Sequence, residues 1–249
     1  MLASLKSAVG KKFRGKIIVS FESRDSAVLT FDDGPDPYYT PQVLEVLQKH
    51  GAKATFFALG RQVELYPRIV RQILASGCEI ANHSYDHASF SMIPLKDRIK
   101  EIQKCQSAIG PSCKWFFRPP FGHASFGTAN WASLLGYKTI CWSADASDWE
   151  TDDSAVMLER LKVSVKPGSI VLLHDRMEYA KDERLLPREG LIRALDQFLS
   201  TSKLNFKTLS EMFSSSPAVA DDWPWDRDFA ISGIEARVAE YSGLVRNVP

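Results

Sequence analysis

AVLTFDDGP, residues 27–35, is the stretch from which the fold can be read. AVLTF (27–31) is aliphatic, β-branched and aromatic without polar alternation, the composition of a strand covered on both faces. It runs directly into Asp32-Asp33-Gly34-Pro35, a turn signature that carries two adjacent carboxylates. TPQVLEVLQKHG (40–51) then supplies helix signals: Thr40 as a candidate N-cap, Pro41 at the first helical position, apolar residues at 43, 44, 46 and 47, and a closing glycine. The unit is strand, polar turn, helix.

Working outward, the unit repeats. ATFFAL (54–59) precedes YPRIVRQILASG (66–77), CEIAN (78–82) precedes LKDRIKEIQKCQSAIG (95–110), and KWFFR (114–118) precedes SFGTANWASLLG (125–136). YKTICW (137–142) precedes DDSAVMLERLKVSV (152–165), SIVLLH (169–174) precedes PREGLIRALDQFLS (187–200), and NFKTL (205–209) is a short last strand. Repeated βα units require a parallel sheet with crossover helices. Periodicity leaves an open doubly wound sheet and a closed barrel both available. No G-x-G-x-x-G follows a strand, which disfavours a dinucleotide-binding unit.

Composition narrows the function classes. The chain has 249 residues, 45% hydrophobic and 24% charged, which excludes disorder and low-complexity fibres. Its formal net charge of +1 carries no global signal for nucleic acid, and no such partner is expected. No apolar run approaches the roughly 20 residues that a membrane span needs. Residues 1–25 read as a basic, solvated arm, with weak contact to an anionic membrane surface as the sharper alternative. The arm lacks the apolar core of a signal peptide, so the expectation is a cytoplasmic, or membrane-associated, enzyme unless Met1 is not the natural start. Residues 214–249 form a Trp- and Asp-rich extension. Cysteines 78, 105, 113 and 141 make no C-x-x-C pair and are expected to be free thiols, with a 105–113 disulfide left open.

The chemistry lies where strands end. Polar clusters follow them at Asp32–Pro35, Asn82–His87, Arg118–Gly122, Asp145–Trp149 and His174–Asp175. In parallel α/β folds the C-terminal strand ends converge on one rim, where catalytic groups gather. His83 and His87 are four apart, and on a helical turn both rings would face one ion. An aspartate from a neighbouring strand end completes a His2Asp set with an open position, the catalytic rather than the structural arrangement. Such a histidine pair standing alone is more often a surface or core feature. The adjacent Asp32 and Asp33 tip the balance, because one carboxylate can bind metal while the other stays free as a base. His174 suits a proton donor, since its reference pKa lies near neutrality. Asp148 can hold that imidazole, Arg118 can pair with and orient the free aspartate, and Trp149 and Phe121 can supply apolar walls.

The set TFDDGP (30–35), HSYDH (83–87), RPPFG (118–122), DASDW (145–149) and LLHD (172–175) resembles the polysaccharide deacetylases, the NodB-homology domain of carbohydrate esterase family 4. The resemblance covers residues 26–213 and includes ATFF (54–57) and LLP (185–187). It implies a distorted (β/α) barrel, TIM-barrel-like, as a single domain with short terminal extensions.

For the site, the resemblance implies Asp33, His83 and His87 as metal ligands and Asp32 as general base tethered by Arg118. It implies His174 as general acid with Asp148 as its partner. The Phe121 backbone N–H matches the oxyanion donor, and Trp149 lines the acetyl pocket. The implied cofactor is a divalent metal, Zn2+ first, with Co2+, Ni2+ or Mn2+ as alternatives. The implied reaction is N-deacetylation of an N-acetylated glycan: a chitooligosaccharide, a peptidoglycan-type or a lipid-linked chain. A deformylase or other amidase on a lipid-linked amino sugar and a non-catalytic glycan-binding protein are the competing readings. The loop 176–186 is expected on the rim, where it can narrow the cleft.

Overall fold

A computed structural model describes residues 15–124, 126–180 and 182–221. In chain order its strands are β1 (Ile17–Phe21), β2 (Ser26–Asp32), β3 (Ala54–Ala58), β4 (Glu79–Asn82), β5 (Cys113–Phe117), β6 (Lys138–Ile140), β7 (Ala144–Asp145), β8 (Ile170–His174), β9 (Asn205–Phe206) and β10 (Ala218–Asp221). Its helices are α1 (Tyr39–Lys49), α2 (Gly60–Leu65), α3 (Pro67–Ala75), α4 (Leu95–Ile109), α5 (Phe126–Leu134), α6 (Ser154–Ser164), α7 (Glu189–Thr201) and α8 (Leu209–Ser215). No helix among the described residues is long and apolar enough to cross a membrane.

The strand order is β10-β1-β6-β5-β4-β3-β2-β8-β7, with β9 added on β2. All pairings are parallel except β1 with β10. The sheet rolls on itself. Ser20 of β1 bridges Ser169, just ahead of β8, although the two strands stand far apart in the order. The Phe21 N–H donates to the Gly168 carbonyl at 2.8 Å, and the Gly168 N–H to the Ser26 carbonyl at 2.7 Å. Gly168 has φ +87°, and a Cβ there would lie 3.0 Å from the Phe21 carbonyl carbon, so only glycine permits this seam. The curled sheet is the distorted barrel that the resemblance implied.

Strand alternation sorts the core into two layers. Ala27, Leu29 and Phe31 of β2 point outward, with Ala54 and Phe56 of β3 and Val171 and Leu173 of β8, onto α1 and α7. Val28, Phe57 and Ile170 point inward, where Leu209 and Met212 of α8 join them. Each such Phe, Leu or Ile buried contributes about 1.5–3 kcal/mol. The Leu209 N–H donates to Thr55 Oγ1 near the start of β3, so α8 plugs the end of the barrel opposite the C-terminal strand ends. Asp32 and His174 continue the inward series of their strands, which aims both side chains into the open mouth.

Several local expectations change. β1 lies within residues 1–25 and β10 within 214–249, so the expected 26–213 boundary leaves out two strands that the sheet includes. The rest of both extensions, 1–14 and 222–249, lies outside the described residues. Thr40 is not the cap of α1. Asp36 Oδ1 takes the Tyr38 and Tyr39 N–H groups instead, each at 2.8 Å, and Thr40 turns inward. YKTICW splits: β6 ends at Ile140, and the chain crosses to β8, where β7 pairs. The short α2 carries too few residues to show a helical period. All four cysteines are buried and free, so the 105–113 disulfide is not formed. Burial raises each thiol pKa, Cys113 to about 12, which leaves them unreactive.

Candidate active site

β2 delivers the two aspartates differently. Asp32 ends the strand, while Asp33 turns left-handed at φ 72°. That turn separates the carboxylates. Asp32 Oδ1 accepts Arg118 Nη1 at 2.7 Å. Asp33 Oδ1 faces His83 Nε2 at 3.3 Å and His87 Nε2 at 3.1 Å. Arg118 is fully buried in the barrel, with further bonds to Thr30 Oγ1 at 2.7 Å and the Cys141 carbonyl at 3.1 Å, and its guanidinium lies 4.3 Å from the Phe57 ring centre. Reaching from the end of β5 to β2 across the interior, it fixes the free aspartate as expected.

The histidine pair is not on a helical turn. Ser84 (φ 71°) and His87 (φ 58°) are both left-handed, and the loop is built by side chains. Asn82 Oδ1 accepts the Ser84 N–H at 2.9 Å, Ser84 Oγ accepts the His87 N–H at 3.1 Å, and Glu101 Oε2 accepts the Tyr85 and Asp86 N–H groups at 3.0 and 2.8 Å. Short polar side chains that bond their own backbone favour such loops over helix. The rings still converge, with centres 5.1 Å apart. His83 Nδ1–H donates to the Arg118 carbonyl at 2.8 Å, which leaves the Nε2 lone pair facing Asp33.

Asp33, His83 and His87 are all buried, with their ligand atoms within 4.8 Å of one another. Asp33 Oδ1 has no hydrogen bond despite its burial. Burial acts to raise the Asp33 pKa, but the His87 and His83 side chains outweigh it and hold the carboxyl well below its usual range. A buried carboxylate oxygen without a hydrogen bond, beside the Nε2 atoms of two imidazoles, is a donor set that fits a divalent cation with open positions.

His174 ends β8 in direct register with Asp32 of β2, so the two sit on neighbouring parallel strands. Its Nδ1 bonds Asp148 Oδ1 at 3.0 Å, and its backbone N–H donates to Asp148 Oδ2 at 3.0 Å. Burial works against the imidazolium, but the Asp148 charge and hydrogen bond, with Asp33 and Asp32 behind them, push the His174 pKa up to about 9. Trp149 presents an edge contact to His174 at 5.7 Å, and Phe121, left-handed at φ 58°, packs its ring 4.5 Å from His87. All nine residues singled out from the sequence therefore stand at one end of the barrel.

Sequence reasoning missed several supporting groups. The Glu178 N–H donates to Asp33 Oδ2 at 2.9 Å, and the Tyr179 ring lies 5.4 Å from His87, so the loop after β8 does reach the site. Glu178 is tied to Arg61 and Arg176. His123 is buried, bonds Ser89 Oγ at 2.8 Å, and has its pKa lowered to about 4 by burial and by His87. Only the length of the 176–186 loop signalled any of this in advance.

Comparison with known proteins places the chain among sugar deacetylases. The polysaccharide deacetylase family profile matches residues 22–140. A chitooligosaccharide deacetylase of Azorhizobium caulinodans is 38% identical over 163 residues, 62% of this chain and 75% of that protein. A peptidoglycan-N-acetylglucosamine deacetylase of Bacillus cereus is 37% identical over 195 residues, 74% of this chain and 86% of that protein. The crystal structure of the Bc1960 peptidoglycan N-acetylglucosamine deacetylase in complex with 4-naphthalen-1-yl-N-oxidanyl-benzamide matches with a TM-score of 0.71 at 30% identity, over 81% of this chain and 94% of that one.

Proposed function

The chain belongs to the polysaccharide deacetylase family, and from that premise we propose that it is a metal-dependent hydrolase that converts the acetamide of an N-acetylated sugar into a free amine and acetate. The observation that carries the reading is the juxtaposition at one strand-end rim. A tethered carboxylate, Asp32, and a carboxylate-held imidazole, His174, are register partners beside the Asp33–His83–His87 donor set.

A divalent cation held by Asp33 Oδ1, His83 Nε2 and His87 Nε2 would supply the Lewis acid that acidifies a water molecule and polarises the acetyl carbonyl. Zn2+ suits this donor set first, and Co2+, Ni2+ and Mn2+ can take it. Asp32, oriented by Arg118, takes the proton from the attacking water. The Phe121 backbone N–H donates to the oxyanion of the tetrahedral intermediate, a contact of a kind worth about 3 kcal/mol. His174 Nε2 then hands its proton to the departing nitrogen, which makes the amine a competent leaving group. Asp148 holds the ring through Nδ1, so the proton to be transferred lies on Nε2. Trp149 lies against that imidazole and forms the apolar wall for the acetyl methyl.

The substrate class follows the relatives: short chitin-type or peptidoglycan-type N-acetylglucosamine chains. The test is release of acetate, with formate assayed in parallel, from N-acetylglucosamine oligomers of graded length and from N-acetylated peptidoglycan. Acetate release that stops on dipicolinate treatment and returns with added Zn2+ is the expected result. Unchanged release after rigorous demetallation refutes the metal role. Formate from an N-formyl sugar, with no acetate from any acetylated chain, transfers the reading to a deformylase.

A further inference from the structure

Behind Asp148 lies a cation that the mechanism above does not use. Arg188, at the start of α7, is 1% exposed, and Asp148 is fully buried. Arg188 Nη1 bonds Asp148 Oδ2 and the Asp148 carbonyl, both at 3.2 Å. Its Nε bonds the Pro187 and Leu186 carbonyls at 2.9 and 3.2 Å, and its Nη2 bonds the Leu185 carbonyl. Among the described residues, Asp148 is the carboxylate in ion-pair contact with this guanidinium. A buried guanidinium is costly without a paired anion, and the carbonyls of one turn do not neutralise it. The anion chosen is the one that holds the His174 ring through its other oxygen.

We propose that Arg188 is a positioning residue of the acid limb: it holds the Asp148 oxygen that the His174 ring does not use and balances the Asp148 charge once His174 has given up its proton. The inference rests on the reading of His174 as general acid. With Arg188 in place, loss of that proton leaves a buried ion pair. Without it, the same step leaves a buried carboxylate with no cation, so the proton is released less readily. Arg188 also ties the rim to the dyad. The segment that follows β8 touches Asp33 through the Glu178 N–H and Asp148 through Arg188, and so spans both halves of the site.

The groups facing His174 are Asp148 on the loop after β7, Asp32 and Asp33 at the end of β2, and the Trp149 ring. None of them is a cation that replaces Arg188. The test compares the zinc-loaded wild type with Arg188→Met, Arg188→Lys, Asp148→Asn and His174→Asn. It reads kcat and KM for acetate release from an N-acetylglucosamine tetramer across pH, together with a 15N-histidine NMR titration of His174. Arg188→Met is expected to lower kcat about tenfold with KM little changed, the scale of one lost charge-assisted hydrogen bond. The alkaline limb and the His174 titration should both move to higher pH. Arg188→Lys keeps the charge but cannot reach the carboxylate and the carbonyls together. It should restore the limb to near its wild-type position while kcat stays depressed.

Wild-type kcat and pH profile in Arg188→Met overturn the proposal. If that variant does not fold, a wild-type kcat in Arg188→Lys overturns it instead. Near-normal activity in both His174→Asn and Asp148→Asn marks a different failure, that of the general-acid reading itself.

Discussion

His174 illustrates how a residue's role is set by what touches it. A histidine closing an apolar strand can be ordinary core material, and the sequence favoured a proton donor on its reference pKa and its motif. Asp148 accepting from both the ring and the backbone N–H is what turns it into an acid with a pKa of about 9, and DASDW names the partner without revealing the double contact. The sign of the pH dependence follows. The imidazolium is the working form, so kcat should hold through neutrality and fall about tenfold per unit on the alkaline side. Asp148→Asn removes the charge that raises the pKa, so the limb should move down toward the ordinary histidine value of about 6.5. Stability follows the same linkage. The folded chain binds this proton more tightly than the unfolded chain, so the stabilising contribution is full below pH 6.5 and disappears as pH rises through about 9. Rate profiles of the two proteins, with unfolding midpoints at pH 6.5 and 9.5, check both. An Asp148→Asn limb that stays in place removes Asp148 as the cause.

At the scale of elements, the long strands and helices were legible because their periods are long enough to read. The turns that hold the ligands were not. HSYDH carried the right spacing for the wrong conformation: the ladder from Asn82, Ser84 and Glu101 replaces helix, and Glu101 comes from a helix that spacing within the motif cannot reveal. The β2–α1 turn is a second case. Asp-Asp-Gly-Pro reads as a turn, but its glycine is required for a packing reason that lies elsewhere in the chain. A Cβ on Gly34 would lie 2.7 Å from Asp175 Cγ. Asp175 is buried, its pKa pushed up to about 7 by burial, and Thr40 Oγ1 donates to its Oδ2, so the carboxyl cannot retreat freely. Gly34→Ala should therefore displace Asp33 along with the turn. The expected cost is about 1–3 kcal/mol of stability by overpacking, accompanied by weaker Zn2+ binding. Thermal unfolding and a competitive zinc titration read the two effects. A variant with native zinc affinity would show that the turn absorbs the methyl without moving the ligand.

For the whole molecule, the curl of the sheet makes the site, and the curl depends on segments that the sequence assigned to the extensions. KIIVSF reads as part of a basic arm because lysines and arginines surround it. Nothing local says that Ile17, Ile18 and Phe21 are buried between β6 and β10. Such pairings are non-local: β1 finds its partners at residues 138–140 and 218–221, and hydrophobic periodicity contains no information about which strand neighbours which. The ladder of β1 with β10 runs Ile17 to Asp221, Ile18 to Ala220, Ser20 to Val219 and Phe21 to Ala218. Phe213 of α8 stacks on Phe116 at 5.2 Å and meets Phe21 edge-on at 5.0 Å, so the same corner closes the base of the barrel. Comparing a chain ending at residue 221 with one ending at residue 216 isolates β10. Net hydrogen-bond contributions of about 0.5–1.5 kcal/mol each imply that the shorter chain loses a few kcal/mol relative to the longer one. Because β1 bridges Ser169, the residue that leads into β8, loosening β1 loosens the strand that carries His174. The shorter chain should therefore lose kcat at temperatures well below its unfolding midpoint. Calorimetry and acetate release measured side by side decide the point. Equal midpoints and equal rates for the two chains would mean that β2, β3 and β8 hold the mouth of the barrel without the closing corner.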